Sequence, residues 1–347
     1  MDAAAVDAAV VDAAVVAGDN SMKGRITMKI LGLDRTLSKL IAVIGVGLSV
    51  LLPFVVFAQT AALVSTMPKQ FPTAQAAADA LIAAAEKFDV PALEEIFGQA
   101  GKDIIHTGEP VQDQEIAKQF AAQARTKMEV AIDPKLQRRA FITVGDNSWP
   151  FPVPIVKTGR TWAFDPKEGL HEILVRRVGR NELDAIEICR GFVEAQQEYA
   201  LQKHGASPVN QFAQKIISTP GQQDGLAWQE PDGTWSGPIG ENIARAIERG
   251  YATGGEQPYH GYFFKVLKGQ GPAAPLGQMD YVVNGAMIGG FALIAFPAEY
   301  RVTGVKTFMV SNDGVVYEKD LGPKTLEVAK NIDRFNPDKS WSPIVDQ

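Results

Sequence analysis

The stretch from Pro258 to Gly322 constrains the fold most. It is a chain of short runs rich in aromatic and β-branched residues: Tyr262 to Leu267, Met279 to Val283, Phe291 to Pro297, Val305 to Val310 and Val315 to Lys319. Gly, Pro, Asn or Asp bounds each run, which is the pattern of antiparallel strands separated by turns. Asn312-Asp313-Gly314 lies between the last two. Asp-Gly supplies the positive φ of a tight hairpin turn, so those two strands are expected to pair directly. An antiparallel sheet must bury one face, so the helical segments before it are expected to cover it.

The chain has 347 residues and a 46% apolar fraction, enough for about two folded domains rather than a disordered chain. Its net charge of −6 disfavours nucleic acid as a partner, because phosphate binding needs a basic face. Cys189 is the single cysteine, which rules out an intramolecular disulfide.

Residues 1–27 read as a disordered lead or an over-extended start, with near-repeats of Val, Asp and Ala. Residues 28–61 change character. Lys29, Arg35 and Lys39 precede the uncharged apolar run from Leu40 to Ala58, and small residues follow at Ala58, Ala61 and Ala62. That is the layout of a secretory signal peptide, with an uncleaved N-terminal membrane anchor as the alternative. Both place the remainder outside the cytoplasm, in the periplasm or secreted, with the membrane touched only through this segment.

Residues 70–175 are expected to form a first α+β domain. Ala76, Ala80, Leu81, Ala84 and Phe88 recur at helical spacing. Asp89-Val90-Pro91 caps a second short helix, and Ile116 to Met128 forms a third. Strands follow at Ala140 to Val144, Val153 to Lys157 and Thr161 to Asp165. This order, closing on Gly159-Arg160-Thr161-Trp162-Ala163-Phe164-Asp165, resembles the cone-shaped nuclear transport factor 2-like fold. Trp149 to Pro154 carries three prolines, which forbid a central strand. It reads as a rigid edge whose Trp and Phe fill the core, or as a docking strip.

Residues 176–343 are expected to form the second α+β domain, with an insertion at 205–257 that holds one helix, Gly240 to Arg249. Gly169 to Arg180, with Arg176, Arg177 and Arg180, reads as a solvated basic link that pairs with Glu182 and Asp184. Asn181 then caps a helix to Lys203, whose stripe of Ile188, Phe192, Ala195 and Tyr199 must be buried. A helix with Asn181, Glu182, Ala185 and Ile186 that leads to Gly261, Tyr262 and Phe264 resembles type IV pilin-like heads. Thr307, Phe308, Val310 and Asp313 to Val315 extend the likeness, which implies the head fold and not filament assembly.

From about Phe71 to Pro343 the chain also resembles a bacterial exported family catalogued as domain of unknown function 2950. The phrases that carry this are Trp149 to Pro152, Gly179 to Leu183, Ser218 to Gly221, Asp224 to Trp228, Pro258 to Tyr262, Gly289 to Leu293 and Tyr317 to Gly322. The resemblance implies export and no biochemical role.

His106, His171, His204 and His260 show no metal-ligand spacing, and phosphate-loop, calcium-loop and nucleophile-elbow motifs are missing. No metal or cofactor is expected. The single catalytic pair on offer is His260 with Asp280, if the strands that carry them pair, since a His–carboxylate couple is general-base equipment. Tyr259, Tyr262, Trp228 and Asp224 are the ligand-binding residues expected around it. The overall expectation is α+β, two domains of helices packed on antiparallel sheets. The expected role is a non-catalytic cell-envelope one, binding or assembling with an envelope protein partner. The alternatives are an envelope hydrolase that uses a His/Asp pair, and a pilus-like subunit.

Overall fold

The computed structural model describes residues 66–107, 110–205, 207–240 and 258–345. The expected lead and export segment, and the helix expected from Gly240 to Arg249, lie outside the described residues beyond Gly240.

The first half begins with Phe71, which exchanges two backbone hydrogen bonds with Trp162. Helix α1 (Ala74–Lys87) follows, with the Thr73 side chain accepting from the Ala76 amide. It buries Ala77, Ala78, Leu81, Ile82 and Ala85. Helix α2 (Val90–Phe97) starts on Asp89, as its Asp-x-Pro signature requires. One 3₁₀ turn, a short α3 (Lys102–Ile105) and α4 (Pro110–Thr126) complete the helical side.

Strands β1 (Met128–Ile132), β2 (Arg139–Val144), β3 (Trp149–Pro150), β4 (Ile155–Thr158) and β5 (Thr161–Phe164) form an antiparallel sheet in the order β1-β2-β4-β5. β3 pairs with the far end of β2. Ala140, Ile142 and Val144 alternate inward along β2 to meet the helices. In the proline-rich strip, Phe151 joins the core, 4.9 Å from Phe120. Trp149 does not: it stays at the surface under the Arg176 guanidinium, 5.5 Å from the ring.

Helix α5 (Pro166–Tyr199) is 34 residues long, about 50 Å at 1.5 Å per residue. Asp165 caps it and Pro166 takes the first turn. The link expected at 169–180 is therefore helix, and the boundary expected between 175 and 176 falls inside it. No proline interrupts this segment, and Glu172 pairs with Arg176 one turn on. Asn181 caps nothing. Its side chain donates instead to Thr303 O at 2.9 Å. Glu182 and Asp184, expected to pair with the arginines, also turn to the sheet side. Near its start α5 buries Pro166 and Gly169, and a Cβ on Gly169 would lie 2.6 Å from Val153. From Ala185 onward it buries Ala185, Cys189, Phe192 and Tyr199 in a second hydrophobic cluster.

That cluster is built on the expected strands. A small sheet of β6 (Lys215–Ile217), β7 (Gly225–Gln229) and β8 (Trp235–Ser236) comes first. Then follow β9 (Tyr262–Leu267), β10 (Gly269–Gln270), β11 (Met279–Asp280), β12 (Val282–Val283), β13 (Ala286–Met287), β14 (Ala292–Pro297), β15 (Lys306–Ser311) and β16 (Val316–Asp320). Helix α6 (Thr325–Lys330) and β17 (Ser342–Pro343) end the described chain. The principal sheet runs β17-β16-β15-β14-β9, all antiparallel. β14 is its centre and is buried at every position, with α5 and α6 both packed on it. Asn312 to Gly314 forms the turn between β15 and β16, with Gly314 at φ 75°. Met279 to Val283 differs from expectation: it splits into β11 and β12, which pair with β10 and β13 rather than with β9. The fold is α+β. Among the described residues no helix is long and apolar enough to cross a membrane.

Glu182 ties α5 to the sheet, since its Oε1 accepts from the Val305 and Lys306 amides at 2.8 and 3.0 Å. Glu182→Ala leaves both amides without that partner and is expected to cost about 2 kcal/mol. Urea unfolding will show a lowered midpoint at unchanged slope. An unchanged midpoint would contradict this role.

Candidate functional site

The site is assembled where the hairpin before β9 meets the middle of α5. Tyr259 and Tyr262 exchange backbone hydrogen bonds of 2.9 and 3.0 Å, which leaves two residues, His260 and Gly261, at the tip. Both have positive φ, 48° and 75°, as a two-residue hairpin demands. A Cβ on Gly261 would lie 2.5 Å from Asn181 Nδ2 and 2.9 Å from Thr303 Cβ, so glycine is fixed there twice over. Histidine is one of the few side chains enriched in the left-handed region. At the tip its ring meets Asp184 on α5.

His260 Nδ1 lies 2.6 Å from Asp184 Oδ2, with the side chains 46% and 29% exposed. In the neutral ring, Nδ1–H donates to the carboxylate and Nε2 carries the lone pair. Among the described residues Nε2 has no hydrogen-bond partner. Tyr259 stands edge-on to the imidazole with ring centres 4.3 Å apart. Burial and then the Asp184 charge push the Tyr259 hydroxyl above its usual value, so it stays protonated at neutral pH. The arrangement is a carboxylate-held imidazole with one open nitrogen. It can accept a proton or a hydrogen bond from whatever reaches the tip.

This differs from the expected pair. Asp280 is held by Arg334, whose Nη2 donates to Oδ1 at 2.6 Å, and its strand does not join β9. The strand adjacent to β9 is β14, which follows β11 by more than ten residues in sequence. Tyr262 is a core residue, fully buried, and its hydroxyl donates to Lys306 O at 2.8 Å. Burial, followed by Glu182 and Cys189, pushes that hydroxyl far up. Cys189 is also buried, and desolvation pushes its thiol up to about 12, which leaves no thiolate for nucleophilic chemistry.

Trp228 and Asp224 belong to the small sheet. Trp228 is 9% exposed and donates through Nε1 to Glu230 at 2.8 Å. Its ring meets His204 edge-on, and His204 stacks on Tyr199 at 3.8 Å. His204 Nε2 donates to Tyr199 O, since a carbonyl only accepts. Asp224 accepts from the Thr219 amide at 2.7 Å, from Thr219 Oγ1 at 2.8 Å and from Lys215 Nζ at 2.9 Å. It thereby closes the Ser218 to Gly221 turn. Among the described residues no three His, Cys, Asp or Glu side chains converge as metal ligands would.

Asp184 and His204 were not among the residues expected to matter. Asp184 has a signal in hindsight: it shares the phrase Asn181-Glu182-Leu183-Asp184, whose three polar members reach Thr303, the start of β15 and the hairpin tip. His204 has none, because its partners come from the end of α5 and from β7.

A family model described as a protein of unknown function, DUF2950, matches residues 68–344. The chain belongs to the DUF2950 family. No curated protein and no solved structure matches it. In this DUF2950 chain the hairpin tip, Asp184 and the turn closed by Asp224 all fall inside the matched region.

Asp224 offers a pH test. Burial raises its carboxyl, but the hydrogen bonds from Lys215 and Thr219 outweigh that and hold it below the usual 3.8. A depressed carboxyl stabilises the fold above the unfolded value and loses that contribution as pH falls through the folded one. Asp224→Asn is expected to lower stability at neutral pH by about 1 kcal/mol, discounted for its partial exposure. It also flattens the loss of melting temperature on acidification below the usual aspartate range. Parallel acid profiles for the two proteins would contradict this.

Proposed function

We propose that this DUF2950 chain is an exported cell-envelope protein that acts by binding a partner rather than by turning over a substrate. One observation carries this reading: nearly every polar group that sequence reasoning nominated is spent on holding the fold. Asp224 closes a turn, Asp280 holds Arg334, Tyr262 anchors β15, and Trp228 donates to Glu230. The positive residues and apolar run at 28–61 support export. Two buried clusters, one on each side of the middle of α5, support a reading as two structural units. A long helix leading into an antiparallel sheet supports the pilin-head likeness of the second.

A second reading is favoured by one contact, His260 Nδ1 against Asp184, which leaves Nε2 without a partner among the described residues. On that reading the tip is the general base of an envelope hydrolase.

Expression of the full chain in a Gram-negative host, followed by fractionation and intact mass, tests the export half. The expected product sits in the envelope fraction and begins near Ala58 to Ala62. Unprocessed chain in the cytosol would contradict it. A panel of ester, glycoside and peptide substrates separates the two readings. No turnover is expected from the wild type, whereas turnover lost in His260→Gln would replace binding by catalysis.

A further inference from the structure

The face of the principal sheet turned away from α5 holds a cavity that the His260 tip does not share. Met309 on β15 stands in a cross-strand row with Lys265, Ile294 and Tyr317, and residues in such a row share a face. Phe308 points the other way, toward Tyr262 and the α5 side chains beside it. On the Met309 face lie α6 and the segment after it, tied down where Lys265 Nζ donates to Lys330 O at 2.8 Å. Between that segment and β15 is a cavity of about 420 Å³.

Its wall is held from outside. Phe335 is fully buried and hydrogen-bonds through its backbone to Gly269 and Gly271, which fixes Arg334 and Asn336 on either side of it. Arg334 spends Nη1 on the Gln270 and Met279 carbonyls and Nη2 on Asp280. Asn336 Oδ1 accepts from the Ala273 amide at 2.8 Å, and Asn331 Nδ2 donates to Glu327 O at 2.9 Å. A mixed set of polar atoms is left over. Among the described residues Asn331 Oδ1, Asp333 Oδ2, Asn336 Nδ2 and Trp341 Nε1 have no hydrogen-bond partner, and all four residues line the cavity. The first two atoms accept and the last two donate. Met309 and Ile332 add apolar surface.

That inventory selects a ligand. Both charges on the wall are already paired, Arg334 with Asp280 and Asp333 with Lys265, so an ionic ligand would meet no free counter-charge. A purely apolar ligand would strand the donors and acceptors. A peptide read through its main chain needs a strand edge or an open groove, whereas these polar atoms stand around a cavity. Hydroxyl groups both donate and accept, and a sugar ring carries several of them around apolar C–H faces. We propose that this cavity is a saccharide site that takes a neutral mono- or disaccharide unit of a glycan. The inference does not rest on the partner-binding reading above: it concerns another face of the sheet and a ligand of stated chemistry.

The test is titration of the full chain, labelled at its methionine methyl groups, with cellobiose, maltose and N,N′-diacetylchitobiose. At least one of these disaccharides is expected to shift the Met309 signal, assigned from Met309→Leu, and to leave Met67 and Met128 unmoved. Asp333 and Asn331 are exposed, so Asp333→Ala and Asn331→Ala are expected to fold and to weaken that disaccharide by about tenfold each. Inorganic phosphate and an acetylated, amidated trialanine are expected to shift nothing at Met309. No shift from any of the disaccharides at millimolar concentration, unchanged affinity in either alanine variant, or a Met309 shift from phosphate or the peptide would each overturn the proposal. If Met309→Leu does not fold, the affinities of the two exposed variants still decide.

Discussion

The whole arrangement depends on one uninterrupted helix. α5 gives its first turns to the cluster that contains Phe71, Ile142 and Phe164, and its last four turns to the cluster that contains Tyr262, Phe291 and Phe308. Its middle is buried by neither. Continuity there rests on backbone hydrogen bonds, the Glu172–Arg176 pair and the polar ties that leave the helix for the sheet. Those ties are concentrated in three residues. Asn181, Glu182 and Asp184 reach Thr303, Val305, Lys306 and His260, so one turn of helix sets the positions of the hairpin tip and of the start of β15.

The candidate site is a consequence of that turn. His260 is aimed at Asp184 because the hairpin needs two left-handed residues and because Gly261 lets the tip approach the Asn181 side chain. The same contact that orients the ring leaves its other nitrogen without a hydrogen-bond partner among the described residues. An imidazole so held serves equally as a hydrogen-bond acceptor for a docked partner or as a base. For that reason the surrounding chemistry, rather than the couple itself, decides between the two readings of function.

Local signals in the sequence were legible where they act locally. Thr73 and Asp89 cap α1 and α2 as their side chains require, and Asp313-Gly314 makes the β15–β16 turn. The alternation in β2 and the aromatic runs after Tyr259 became strands. What was not legible depends on distance in the chain. Asp184 and His260 are 76 residues apart, and Asp280 was the nearer carboxylate in sequence. The break expected before Asn181 came from reading three arginines and Gly179 as a link. These residues have adequate helix propensity except for the glycine, and a cap at Asp165 with Pro166 behind it had already started the helix. Asn181 looked like a cap because asparagine favours caps, but its amide is taken by Thr303 from across the fold.

The central claim is that α5 is a single helix through the region between the two clusters. Amide hydrogen exchange at residues 170–184 tests it most directly. A continuous helix predicts slowed exchange at every amide across this span, graded smoothly from the ends that lie in the clusters. Exchange at the rate of an open chain around 176–180, with protection resuming only at Asn181, would show a link in place of the helix and contradict the account.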